Sequence, residues 1–202
     1  MVVGKLLKYR LIFTAFIFIL FVLPILLITF RVIPFEFRYH VLIIVALLIL
    51  IFETTRKIPI QKFGFRKDNL LLSLKVNIIA SLLLLGLILL IKIFCFDISS
   101  SVHASFFIFY VFIGVPIQEY LFRSVVFYEM YRMRISKQSL RIILSAMIFA
   151  FPHLVYLNIY FILIVVIMGI IWGYIYDEYP NWYGVVLSHA LLGSIAIFIG
   201  LV

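Results

Sequence analysis

Gln118-Glu119-Tyr120-Leu121-Phe122-Arg123 places an amide, a carboxylate and a guanidinium inside a run that is otherwise apolar. Two imidazoles, His153 and His189, follow in equally apolar surroundings. A charged side chain at membrane depth costs about 2.5–3.5 kcal/mol on insertion scales, so it persists where it is paired or leads to a polar cavity. Glu119 and Arg123 are four residues apart and share a helix face, so they can pair. Taken one by one, these groups read as an intramembrane salt bridge and two hydrogen-bonded core histidines. Taken together, they are polar groups on three separate helices, two of which also carry small residues for close packing, with Gly169 and Gly173 lying between the histidines.

A carboxylate and two imidazoles reached by water from one membrane face can perform acid–base chemistry. The carboxylate takes a proton from water, a histidine orients that water or protonates the leaving group, and another polar group stabilises the oxyanion. Glu119, His153 and His189 are equally a two-histidine, one-carboxylate set, which zinc or another divalent metal could take with a fourth position open. The residues alone leave both readings standing and make no cofactor certain. Neither H-E-x-x-H nor a cysteine cluster is present, Cys95 being the single cysteine. There is no G-x-S-x-G element, and Ser188 beside His189 points elsewhere on a helix, so a serine nucleophile is not expected.

The elements that must position these groups are membrane helices. Of 202 residues, 67% are hydrophobic and 12% charged, with a mean hydropathy of +1.30. Soluble domains sit near half apolar and a quarter charged, so the chain reads as an integral membrane protein. Apolar runs predict helices near 11–30, 39–53, 70–94, 104–131, 138–155, 157–176 and 183–202. The expected fold is all-α, a polytopic transmembrane bundle of about seven helices, or eight if the second or fourth run splits. One membrane domain uses residues 1–202, with no large-period repeat or low-complexity tract. The run after Lys5, Lys8 and Arg10 lacks a small-residue cleavage site and is expected to be a retained first helix. Gly114 and Pro116 are expected to kink the fourth helix and lower Gln118–Arg123 into the bundle.

The net charge of +9 sits in inter-helix segments instead of on a continuous basic face, so nucleic acid is not an expected partner. Lys and Arg concentrate in the N-terminal segment and in the 53–69 and 131–141 loops and are absent from 95–103. The positive-inside rule therefore predicts a cytoplasmic N-terminus, although Arg31 and Arg38 oppose it. The polar cluster is then expected in the cytoplasmic half of the bilayer, with substrates arriving from that side or laterally. Tyr179, Trp182 and Tyr183 read as interfacial anchors, and so do His40 and His103. Lys75 and Lys92 can snorkel. Glu53 and Asp97 fall at helix ends, where solvation suffices, and Glu129 can pair with Arg132 or Arg134.

Over residues 104–202 the order of motifs resembles the CAAX prenyl endopeptidase and bacteriocin-processing (Abi, CPBP) family of intramembrane proteases. The first motif reads Gln118-Glu119-Tyr120-Leu121-Phe122-Arg123, where the family has two glutamates, three residues and arginine. The second is Phe149-Ala150-Phe151-Pro152-His153. The third is His189-Ala190-Leu191-Leu192-Gly193, preceded by Met168-Gly169-Ile170-Ile171-Trp172-Gly173-Tyr174, which is similar to the family's glycine-spaced helix. Two positions depart from the family. Gln118 replaces the glutamate usually assigned as base, and Gly193 replaces a polar residue used near the oxyanion. The resemblance implies a catalytic-type core at 104–202 and an endopeptidase acting on a membrane protein or peptide within the bilayer of a bacterial or archaeal cell. The roles it implies are Glu119 as base, Gln118 as positioning or oxyanion donor, His153 as water-positioning residue or ligand, His189 as oxyanion partner or ligand, and Arg123 as counter-charge to Glu119. The alternative it leaves is a catalytically degenerate member that binds peptides or acts as an immunity-type membrane protein.

Overall fold

Backbone N–H and C=O groups in lipid must be satisfied internally, which commits apolar runs of this length to helices. The computed structural model describes residues 8, 12, 15, 16, 18–95 and 104–200, and its described residues contain no strand. The expectations for Lys5, Arg10, Asp97 and His103, and for the side chains of Lys92 and Cys95, fall outside it.

Seven helices are described. α1 is Leu23–Thr29, entered through a π-helical turn at Phe18–Val22. α2 is Arg38–Thr55 and α3 is Leu70–Cys95. α4 runs continuously from Ala104 to Arg132 but alternates in type, with π turns at Tyr110–Gly114 and Tyr120–Val125 enclosing Val115–Glu119. α5 is Gln138–Ala150, extended by a 3-10 segment at Phe151–Tyr156, where a single long helix was expected. α6 is Ile159–Glu178 and α7 is Trp182–Phe198, each opened by an asparagine (Asn158, Asn181) whose side chain caps the first turn. Five of these segments are long and apolar enough to cross a membrane. The chain is an integral membrane protein.

The helices alternate in direction, which gathers the loops at two ends. At the basic end, Asn181 donates to the Arg66 carbonyl at 2.9 Å and the Trp182 N–H donates to the Gly64 carbonyl at 2.9 Å. Arg141 binds Asp177 through both Nε (2.9 Å) and Nη2 (2.7 Å), tying α5 to α6 there. In the exposed part of this end, the Arg66 guanidinium beside Asp68 holds that carboxyl below its ordinary range. At the opposite end Phe35 packs edge-on against Tyr156, with ring centroids 5.6 Å apart.

Two local expectations change. Glu53 is 3% exposed instead of solvated, and Arg56 bridges it to Glu129 on α4. Glu129 does also meet Arg132, at 3.5 Å. Trp182 is half-buried and donates to the Pro116 carbonyl at 3.3 Å, so it braces α4 as well as sitting near the membrane boundary.

Without a hydrophobic driving force between helices in lipid, close packing and buried hydrogen bonds must hold the bundle. α5 and α6 approach at Gly169, where an added Cβ would lie 3.1 Å from the Ala146 Cα. α3 and α7 are joined by a polar seam in which Ser81 Oγ and Ser188 Oγ lie 2.7 Å apart and Trp172 Nε1 donates to Ser188 at 2.8 Å. Ser188 is therefore spent on packing. Gly169→Leu must separate α5 from α6 and is expected to cost at least about 1–3 kcal/mol, the usual penalty of overpacking. Unfolding followed in mild detergent checks this, and an unchanged transition would contradict the packing described.

Candidate functional site

The two π turns set the site. Each adds a residue to a helical turn, and such turns shift which side chains share a face. Between them, Gln118 and Glu119 point in different directions. Gln118 lines two adjacent cavities, each of about 80 Å³, one reaching toward α1 and α2 and the other lying among α3, α4, α6 and α7. Glu119 is fully buried and lines neither of them.

Glu119 Oε1 lies 2.7 Å from His189 Nδ1 on α7, which joins the first and third motifs directly. Its Oε2 lies 3.7 Å from Arg123 Nε, an ion pair without a hydrogen bond. Arg123 Nη1 donates instead to Ser145 Oγ at 3.2 Å and to its neighbour Phe122's carbonyl at 3.3 Å, while Nη2 reaches the Gly169 carbonyl at 3.5 Å. The guanidinium also sits 4.5 Å from the Phe149 ring centroid, a cation–π contact. Arg123 thus serves both as counter-charge and as the tie between α4, α5 and α6.

His153 stands in the 3-10 segment, with Nδ1 3.0 Å from the Phe149 carbonyl four residues earlier. In each imidazole, then, Nδ1 is engaged, by a carbonyl in His153 and by a carboxylate in His189. Both acceptors lack hydrogen, so Nδ1 carries the proton and Nε2 keeps its lone pair. Neither Nε2 has a hydrogen-bond partner among the described residues or belongs to their sealed polar atoms, and both histidines line the cavity among α3, α4, α6 and α7. Phe149 sits between the rings, with its centroid 5.2 Å from that of His153 and 5.5 Å from that of His189. Trp172 also packs on His189, with ring centroids 4.7 Å apart, and meets Phe149 edge-on.

The arrangement adds geometry to three of the expectations. Glu119, expected as the base, does not line the cavity wall: His189 meets one of its oxygens and the other is sealed beside Arg123. Glu119 meets His189 through Nδ1 and does not face the cavity with the two imidazoles, and no group of three or more His, Cys, Asp or Glu suited to a metal occurs among the described residues. The two cavities reach toward the ends of the helices remote from the basic loops. Their walls include Tyr39, Tyr156 and Phe161, near the ends of α2, α5 and α6 remote from the basic loops.

Two wall residues had no signal in the motifs. Trp172 lies inside the glycine-spaced segment but reads as a packing residue until its ring is seen on His189. Tyr110 is one of 12 tyrosines and precedes the first motif by a π turn. Only its proximity to Gly193 distinguishes it, and that proximity is a property of the fold.

The stretch of sequence that carries these polar groups has a counterpart among known families. Residues 100–195 match the family described as type II CAAX prenyl endopeptidase Rce1-like. Over these residues, just under half of the chain, the match supports a likeness to the CAAX prenyl endopeptidase and Abi (CPBP) family of membrane proteases. No curated protein and no solved structure matches it.

Glu119 and Arg123 are both 0% exposed. Removing one member of such a pair leaves the other charge buried, at a cost of about 3–5 kcal/mol, whereas replacing both by apolar groups is often neutral. Glu119→Ala is therefore expected to lower stability by about that amount, and Glu119→Leu/Arg123→Met to recover most of it. Unfolding measurements on the single and double variants check this, and a fully stable Glu119→Ala protein would contradict it.

Proposed function

We propose that the chain is an intramembrane endopeptidase in which His189, held by Glu119, activates the hydrolytic water. The observation that supports this most directly is the 2.7 Å contact between Glu119 Oε1 and His189 Nδ1, with Nε2 of the same ring left facing the cavity. A carboxylate accepting from Nδ1–H fixes the tautomer and favours the imidazolium that forms when Nε2 takes a proton.

Water oxygen bonds to the carbonyl carbon of the substrate peptide, its proton moves to His189 Nε2, and the carbonyl electron pair becomes the oxyanion. The oxyanion then collapses, the C–N bond breaks, and the proton passes to the leaving amine, giving a carboxylic acid and an amine. The His153 Nε2 lone pair holds the attacking water, and the Gln118 amide donates toward the carbonyl oxygen. Arg123 keeps Glu119 ionised while the imidazolium exists. The cavity walls are otherwise largely apolar, which suits an apolar segment of a membrane protein or peptide. Under the positive-inside reading the N-terminus is cytoplasmic, and substrates reach the site from the external half or laterally.

The second reading, a member that binds peptides without cutting them, draws on Gln118, which puts an amide on the wall where the family has a carboxylate. One experiment separates the two. The wild type, His153→Ala, His189→Ala and Gln118→Glu proteins are reconstituted in liposomes with apolar membrane-spanning reporter peptides, and products are followed by mass spectrometry. The peptidase reading expects wild-type cleavage and a fall in kcat of about 10²–10⁴ for each histidine variant. Equal cleavage by the wild type and both histidine variants would refute it. Bound but uncut peptide in the wild type, with cleavage gained only in Gln118→Glu, would establish the second reading.

A further inference from the structure

We infer that Tyr110 is the second oxyanion donor of this cavity and that Gly193 is glycine because the Tyr110 phenol occupies its side-chain space. This inference rests on reading the cavity as a peptidase site. A Cβ built on Gly193 would lie 1.8 Å from the Tyr110 hydroxyl oxygen and 2.8 Å from the ring carbon that bears it. No real pair of atoms tolerates either distance, so the phenol and a side chain at 193 exclude one another. Gly193 sits inside α7 without a positive φ. Its backbone therefore gives no reason for glycine, a residue that weakens a helix interior.

The position of the hydroxyl is the second observation. Tyr110 is 9% exposed, with its ring edge-on to His189 at 6.1 Å between centroids. Its hydroxyl has no hydrogen-bond partner among the described residues, yet it is not one of their sealed polar atoms. Tyr110 lines the same cavity as Gln118, His153 and His189. A buried phenol usually finds a partner for its O–H. Here what lies before it is the cavity in which a carbonyl oxygen would become negative. The phenol keeps its proton throughout. It donates one hydrogen bond, stronger to the oxyanion than to the ground-state carbonyl, and so contributes to rate more than to binding. The π turn that begins at Tyr110 brings α4 over α7 at this point.

Tyr110→Phe removes the oxygen and leaves the ring packing, and an unchanged unfolding transition verifies that it does. Turnover of a reporter peptide should fall about 10²–10³-fold in kcat with KM little altered. Gly193→Ala, which displaces the phenol, should fall comparably, and combining it with Tyr110→Phe should cost little more. A second measurement does not depend on turnover. An Ile-Leu phosphinate pseudopeptide, which carries a tetrahedral anionic centre, is compared with the Ile-Leu amide peptide of equal length by calorimetric titration. The wild type should prefer the phosphinate, and Tyr110→Phe should lose at least tenfold of that preference while binding the amide equally. Retained kcat or retained phosphinate preference in Tyr110→Phe would overturn the inference, as would a wild type without that preference. If no reporter is cleaved by the wild type, the peptidase reading fails separately, and the phosphinate comparison still decides the role of Tyr110.

Discussion

The hydrogen bond between Glu119 and His189 is where the cost of burying charge and the chemistry of the cavity meet. A carboxylate sealed from water must be compensated, and an imidazole N–H at 2.7 Å and a guanidinium at 3.7 Å together do so. The longer of these is the weaker partner for Glu119. Arg123 does more than neutralise Glu119, because its remaining donors reach carbonyl and hydroxyl groups of α4, α5 and α6. The arrangement that neutralises Glu119 therefore also fixes the three helices around it, and it leaves His189 with a single tautomer.

Aromatic rings translate that fixed tautomer into a fixed direction. Phe149 lies between both imidazoles and under the Arg123 guanidinium, and Trp172 covers His189 while spending its own N–H on Ser188. Ser188 in turn meets Ser81, so the orientation of His189 is connected to the seam between α3 and α7. Loss of packing in this seam would reach the site without touching any group that faces the cavity.

Much of this was legible in the sequence, and the limits have physical causes. Lipid allows backbone polar groups so few solutions that runs of apolar residues predicted the helical bundle, although a π turn at Phe18–Val22 and a 3-10 segment at Phe151–Tyr156 break two of the expected runs. Gln118, Glu119, Arg123, His153 and His189 were likewise visible as polar groups that lipid does not tolerate alone. Their roles were not. Whether Gln118 or Glu119 faces the cavity depends on π turns at 110–114 and 120–125, and periodicity assumes a uniform helix. That Glu119 turns to Nδ1 of His189, away from the cavity that both imidazoles line, is likewise a contact that spacing does not reveal. Glu53 looked solvated because it ends a helix, but Arg56 folds back and carries it to Glu129. Tyr110 had no signal at all, being marked only by the space it takes from Gly193.

The central claim is that Glu119 determines which nitrogen of His189 faces the cavity. Nitrogen-15 NMR of histidine-labelled protein in lipid nanodiscs near neutral pH reads this directly. The account predicts that His189 is protonated at Nδ1 with Nε2 bare, and that Glu119→Gln abolishes this single tautomer. A proton on Nε2 of wild-type His189, or a tautomer unaffected by Glu119→Gln, would contradict it.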